Sequence, residues 1–359
     1  MLITCAFLIN YFYVRKYQDR TNPKTHSPVS MLHSIVSVWF LLRVCVRIQH
    51  LIIFICIPLL VACWPTGPEK HQQLAMQGAY SASIDPQGQN LVIGSLQHGG
   101  SYWNIPKYAR LYNWNHRAGF LTEILYSSFS SNGKYALTAN YYNLVLWNTA
   151  TGESVAFWEA PSRIQSADLS GDGRFALLGM DNGQAVLFDI QNGGVLREFQ
   201  HGGPVISVSL NIQAGIALTG SEDNSAILWN TRDASMIREF KYSNQVSLVK
   251  LSETGVIALM VPSSEKAELW NLATRKKIAE LKTAKYRLTS ATFMGDSRLL
   301  TGTTYRDIFE FDAKTGKKLS RWRIGTEAKH ALKSTSVLDV GYKGGRLIAV
   351  GSNGYLYTF

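Results

Sequence analysis

The residues best equipped for covalent chemistry crowd one end of the sequence. All four cysteines (Cys5, Cys45, Cys56, Cys63) fall within the first 63 of 359 residues. Cys63 closes the run LIIFICIPLLVAC (51–63), which follows Arg43, Arg47 and His50. Basic residues, an apolar stretch, then a small residue before a cut is the order of an export signal. A spanning helix needs about 20 apolar residues, whereas twelve precede Cys63 here and Pro58 interrupts them. A membrane anchor lengthened with SIVSVWFLL (34–42) would enclose Arg43 and Arg47, at about 2.5–3.5 kcal/mol each. Beyond Cys63, the histidines are His71, His98, His116, His201 and His330. None lies at ligand spacing from another and no cysteine pair accompanies them, so zinc has no support. The HGG triplets at 98–100 and 201–203 lack a Gly-x-Ser-x-Gly elbow and read as turns. Gly171-Asp172-Gly173 reads as a hairpin turn, and no phosphate-cradling glycine loop is present.

Leu60, Val61, Ala62 and Cys63 resemble the lipobox of bacterial lipoproteins. That resemblance implies cleavage before Cys63, acylation of its thiol and new amino group, and no protein cofactor. Trp64 is not the aspartate that typically retains such proteins in the inner membrane, so the periplasmic side of an outer membrane is implied. Residues 1–62 then form a targeting segment, with translation beginning as late as Met31 or near Val46. Residues 63–71 form a lipidated tether. Six of the 36 basic residues (Arg15, Lys16, Arg20, Lys24, Arg43, Arg47) and one of the 25 acidic ones (Asp19) precede Cys63, leaving 30 against 24. Such a mild excess is ordinary for solubility and unlike the dense basic patch of a nucleic-acid binder.

What must position any site is a repeat. Trp114, Trp147, Phe188, Trp229, Trp270, Phe311 and Tyr357 close similar segments at spacings of 33, 41, 41, 41, 41 and 46. A period near 40–45 with short alternating runs and Gly/Asp/Asn turns indicates a propeller with four strands per blade. The expected fold is all-β: seven four-stranded blades over residues 72–359. No outer strand follows Tyr357, so the strand-like HQQLAMQ (71–77) is expected to pair beside GYLYTF and close the ring.

These segments resemble the WD-repeat β-propeller family. The closing dipeptides are Trp-Asn or Phe-Asp, never Trp-Asp, and the opening Gly-His pair is absent. The family's Asp–His hydrogen-bond network is therefore expected to be mostly missing, although Asp181 and Asp223 keep the acidic turn position. The family's general use as a scaffold implies a protein partner and no enzymatic activity. The alternative is an exported enzyme or small-ligand sensor using the central channel.

The largest irregularity is SLQHGGSYWNIPKYARLYNWN (95–115), read as about eleven extra residues between the second and third strands of blade 1. Its Tyr102, Trp103 and Tyr108, with Lys107 and Arg110, are candidate partner-binding residues, since Tyr, Trp and Arg dominate binding hot spots. The competing reading is a plug folded over blade 1. On the other face, Arg275, Lys276, Lys277 and Lys314, Lys317, Lys318 make adjacent basic tips. They form either a solvated rim or a contact for anionic headgroups.

Overall fold

A computed structural model describes residues 65–117, 119–283, 286–325 and 335–359. Cys63 and the lipobox residues Leu60, Val61 and Ala62 lie outside the described residues. The described chain is all-β: seven four-stranded antiparallel sheets form the blades of a propeller. In blades 1–6 the strands run in sequence order from channel to rim; blade 3, for example, is Ile164–Leu169, Phe175–Met180, Gln184–Asp189 and Val195–Gln200.

Blade 7 is the exception expected at a seam. Its inner three strands are Val337–Lys343, Arg346–Gly351 and Tyr355–Thr358, and its outer strand is Lys70–Gln73 from the start of the domain. The closing strand pairs antiparallel, with Lys70 opposite Thr358 and Gln73 opposite Tyr355. Further upstream the chain is also fixed. Thr66 makes a parallel bridge to Trp322 on the outer strand of blade 6 (Lys318–Arg323). Thr66 N–H donates to the Arg321 carbonyl at 3.2 Å, and Arg323 N–H donates to the Thr66 carbonyl at 2.9 Å.

The apolar core is divided among the gaps between blades, and each gap holds its own cluster. Leu177 and Leu187 of blade 3 pack toward blade 4, while Leu178 and Val186 of the same strands pack toward blade 2. Both faces of each middle strand are buried, so most residues of those strands are apolar. Runs such as FALLGM and AVLF follow from that, as in other sheets covered on both sides. Outer strands alternate with solvent and leave apolar residues such as Val155, Met236 and Leu319 exposed.

The register corrects the reading of blade 1. Trp147, Phe188, Trp229 and Trp270 each sit opposite an alanine on the second strand, Ala136, Ala176, Ala217 and Ala258. In blade 7 the same register position is held by Phe359 beside Leu347, and Tyr357, the expected anchor, lies two residues earlier opposite Ala349. Just before the anchor, a β-bulge shifts the pairing with the outer strand, as between Leu146 and Trp147 or Leu228 and Trp229. In blade 1 that bulge falls between Tyr102 and Trp103, and Trp103 lies opposite Leu91. The anchor of blade 1 is therefore Trp103, not Trp114. Gly99–Asn104 is the third strand and Ala109–Asn113 the outer one, so no insertion separates strands two and three. Trp114 follows the outer strand as an interblade wedge, stacked on Tyr102 at 4.4 Å and on Trp147 at 5.1 Å between ring centroids.

Candidate functional site

A channel of about 1030 Å³ runs along the inner strands of all seven blades. Its polar side chains are turned to the neighbouring blade. Ser128, Asp168, Ser209 and Asp339 each accept a backbone N–H from the next inner strand, of Leu169, Leu210, Leu251 and Ile84, at 3.3, 2.9, 3.1 and 2.8 Å. Gly341 has no side chain to offer at the position of Asp168 and Ser209, and Asp339, two residues earlier, makes the bond for blade 7. Lys250 occupies that position in blade 5; its ammonium lies 3.6 Å from the Asp168 carboxylate. Desolvation pushes Asp339 up to about 6 against the lowering effect of its backbone hydrogen bonds. These groups are joined to one another and to backbone, not arranged as a nucleophile with its base. No cluster of three or more His, Cys, Asp or Glu able to hold a metal occurs among the described residues.

Chemically distinctive side chains recur where the third-strand anchor meets the inter-blade connection. In blade 4 the Trp229 indole donates to Thr219 Oγ1 at 2.8 Å. The hydroxyl lies 2.7 Å from His201 Nε2, and His201 Nδ1 lies 2.9 Å from Asp223. Asp223 also accepts the Gly202 N–H at 2.8 Å. Because a carboxylate is acceptor-only, His201 Nδ1 carries the proton and Nε2 receives that of the threonine. Burial lowers the His201 pKa and outweighs Asp223, which raises it. So the second HGG triplet is more than a turn: its histidine completes a four-residue relay. His201 lies on the connection that enters blade 4 and Asp223 on that blade's second hairpin, so the fold brings the two together.

Blade 2 carries a truncated version. His116 Nε2 meets Thr138 Oγ1 at 3.0 Å, and the Trp147 indole donates to the same oxygen at 2.7 Å. The hairpin that would supply the acid is one residue shorter and holds Tyr141 and Tyr142. Burial pushes His116 down to about 4, so its ring is neutral. Blades 3 and 6 use Phe188 and Phe311, which have no N–H to satisfy, and the indole of Trp270 in blade 5 donates to Glu268 at 2.8 Å. Blade 6 instead buries Asp307, whose carboxylate takes two N–H bonds each from Arg321 and Arg323.

The predicted partner-binding residues are dispersed. Tyr102 is 2% exposed in the blade 1–2 core. Trp103 is half-buried against the blade 7–1 core, and its indole donates to Ser101. Lys107, Tyr108 and Arg110 are exposed. They lie on and just after the hairpin between third and outer strands, which opens on the face opposite to the blade-to-blade connections. On the connection face itself, sequence reasoning missed the exposed aromatics of blade 2. Tyr141 and Tyr142 cap its second hairpin, with the Arg163 guanidinium 4.3 Å from the Tyr141 ring. Phe120 and Leu121 are exposed on the connection that enters blade 2, with Arg117 stacked 4.4 Å from Phe120.

No protein-family model matches the chain, and no curated protein matches it.

Proposed function

We propose that this protein is a lipoprotein, attached through acyl chains on Cys63 to the periplasmic side of an outer membrane, whose propeller is a rigid platform for a protein partner. The observation that carries the platform reading is the exposed Tyr141, Tyr142, Phe120 and Leu121 with Arg117 and Arg163 on the connection face of blade 2. Aromatic and arginine side chains held at a rigid surface are the usual anchors of a protein interface, and contiguous exposed apolar surface marks such sites. The Asp223–His201–Thr219–Trp229 relay supports the likeness to WD repeats. The engagement of channel polar groups with backbone favours a platform over an enzyme. The lipid attachment rests on the sequence order from Arg43 to Cys63.

Two experiments test the reading. A photo-crosslinking residue at Tyr142 should capture one defined partner in intact cells, and the same residue at Met236 on the blade 4 rim should not. Equal capture of unrelated proteins at both sites overturns the platform. Metabolic labelling with a clickable fatty acid should mark the wild type and not Cys63→Ala, which should keep residues 51–62. An unlabelled, uncleaved wild type restores the membrane-anchor reading.

A further inference from the structure

We propose that the hairpin tips of blades 5 and 6 form a membrane-contact surface that receives the phosphates of anionic lipid headgroups. The inference rests on the anchoring of Cys63 and adds which edge of the propeller faces the bilayer. Thr66 is held in register on the outer strand of blade 6 by two backbone hydrogen bonds. Cys63 is three residues upstream, and three residues reach at most about 11 Å. An acyl chain on Cys63 must enter the hydrocarbon, so a tether this short holds the blade 6 edge at the lipid surface.

The charges sit on the matching side. The bridge at Thr66 is parallel, so the chain arrives from the Lys318 end of that strand. Lys314, Lys317, Lys318 and Leu319 are exposed there. Gly316 at the same tip lies so close to the Ala279 Cβ of blade 5 that no side chain would fit. The tip bearing Arg275 and Lys276 therefore adjoins it. Asp312, whose carboxylate accepts the N–H groups of Lys314 and Thr315 within the turn, offsets one of these charges and leaves the two tips net basic. The equivalent third-to-outer hairpins of blades 2, 3 and 4 carry no such excess: their charged residues are Glu153 in blade 2, Asp189 in blade 3, and Arg232 with Asp233 in blade 4. Among the third-to-outer hairpins of blades 2 to 6, the basic excess thus falls in the sector where the tether arrives. Basic residues beside a lipid chain supply the second signal that makes membrane attachment firm.

Lysine footprinting tests this on the full protein as the cell processes it. The detergent-purified chain is reconstituted into vesicles of phosphatidylcholine, alone or mixed with phosphatidylglycerol, acetylated briefly and analysed by mass spectrometry. Lys276, Lys314, Lys317 and Lys318 should react about tenfold more slowly on the anionic vesicles, with normal rates returning at about 0.5 M salt. Lys134 and Lys241, on blades 2 and 4, should react alike on both lipids. Intact mass reports the acyl chains in the same samples. Acyl chains present with equal rates on both lipids overturn the contact surface and leave the anchor standing. Acyl chains absent overturn the anchor and this inference with it. Slowing seen in native membranes but not on protein-free anionic vesicles assigns the tips to an acidic protein and overturns the lipid assignment.

Discussion

Replacing Asp307 with alanine should loosen both blade 6 and the tether. The carboxylate is fully buried, and four N–H bonds of 2.8–3.3 Å reach it from Arg321 and Arg323. Breaking a buried ion pair by removing one partner costs about 3–5 kcal/mol. Here the two guanidinium side chains are 31% and 34% exposed and can rehydrate, which puts the loss at the low end. About 3 kcal/mol corresponds to a fall in Tm of about 5–10 °C for a domain of this size. Burial by itself would raise the Asp307 pKa; its hydrogen bonds and charge interactions with Arg323 and Arg321 outweigh that and hold it below the usual value. A carboxyl depressed in the folded state stabilises above its unfolded pKa of about 3.8, and the stabilisation fades as pH falls through the folded value. The gap between wild type and Asp307→Ala should therefore be full at pH 7 and close toward pH 2. Calorimetry at several pH values measures it. Since the backbone of Arg321 and Arg323 holds Thr66, the variant should also be cut faster by trypsin at Lys70. A Tm within about 2 °C of wild type at pH 7, or a gap independent of pH, refutes the reasoning.

Asp223→Ala leaves the donors on His201 and Gly202 without an acceptor, a loss of about 1.5–3 kcal/mol; urea unfolding should show a lower midpoint at unchanged slope. Asp339 has the opposite sign to Asp307: its raised pKa of about 6 means stability falls as pH rises from about 4 to 6. Asp339→Asn should then melt higher than wild type at pH 7.5 and equal to it below pH 4, as read by thermal scans across that range. Tyr102→Ala removes one end of the Tyr102–Trp114–Trp147 stack from the blade 1–2 core and should cost about 3–5 kcal/mol, which a melting curve will show; unchanged melting would return Tyr102 to the candidate contact residues. Deleting residues 70–73 should leave the edge of blade 7 open and convert a monodisperse elution profile into aggregates.

The architecture was legible because each blade repeats one register. A large anchor recurs every 41 residues from Trp147 to Phe311, opposite an alanine from Trp147 to Trp270, and the closing strand was visible as a piece left over at one end and missing at the other. Blade 1 misled for a physical reason. Its third strand begins Gly99-Gly100, which has little strand propensity, because the segment at Trp114 and Asn115 lies directly against those two residues and excludes any side chain. Trp114 then imitates an anchor in sequence while serving as a wedge in space. The relay through His201 was half legible. Asp223 was marked by its turn position, but its partner lies 22 residues earlier on another connection, and no local pattern joins them. The exposed Tyr141 and Tyr142 were hidden by the opposite difficulty, since aromatics within a strand-rich repeat look like core until the shortened hairpin turns them outward.

The pairing of Lys70 with Thr358 has a consequence for how the molecule is made. Blades 1 to 6 each come from one contiguous stretch and can assemble as the ribosome delivers them. Blade 7 cannot, because its outer strand is made first and must wait for residues 355–358. Among the described residues, joining the two ends is the most distant strand pairing, and distant contacts form slowly. Until it forms, the nascent arc carries two free strand edges of complementary kind, which a second copy could fill head to tail as readily as its own terminus. Interrupted synthesis would therefore yield a sticky open arc in place of a slightly shorter protein. The seam thus makes closure a test of completeness, passed only by a chain that carries both strands.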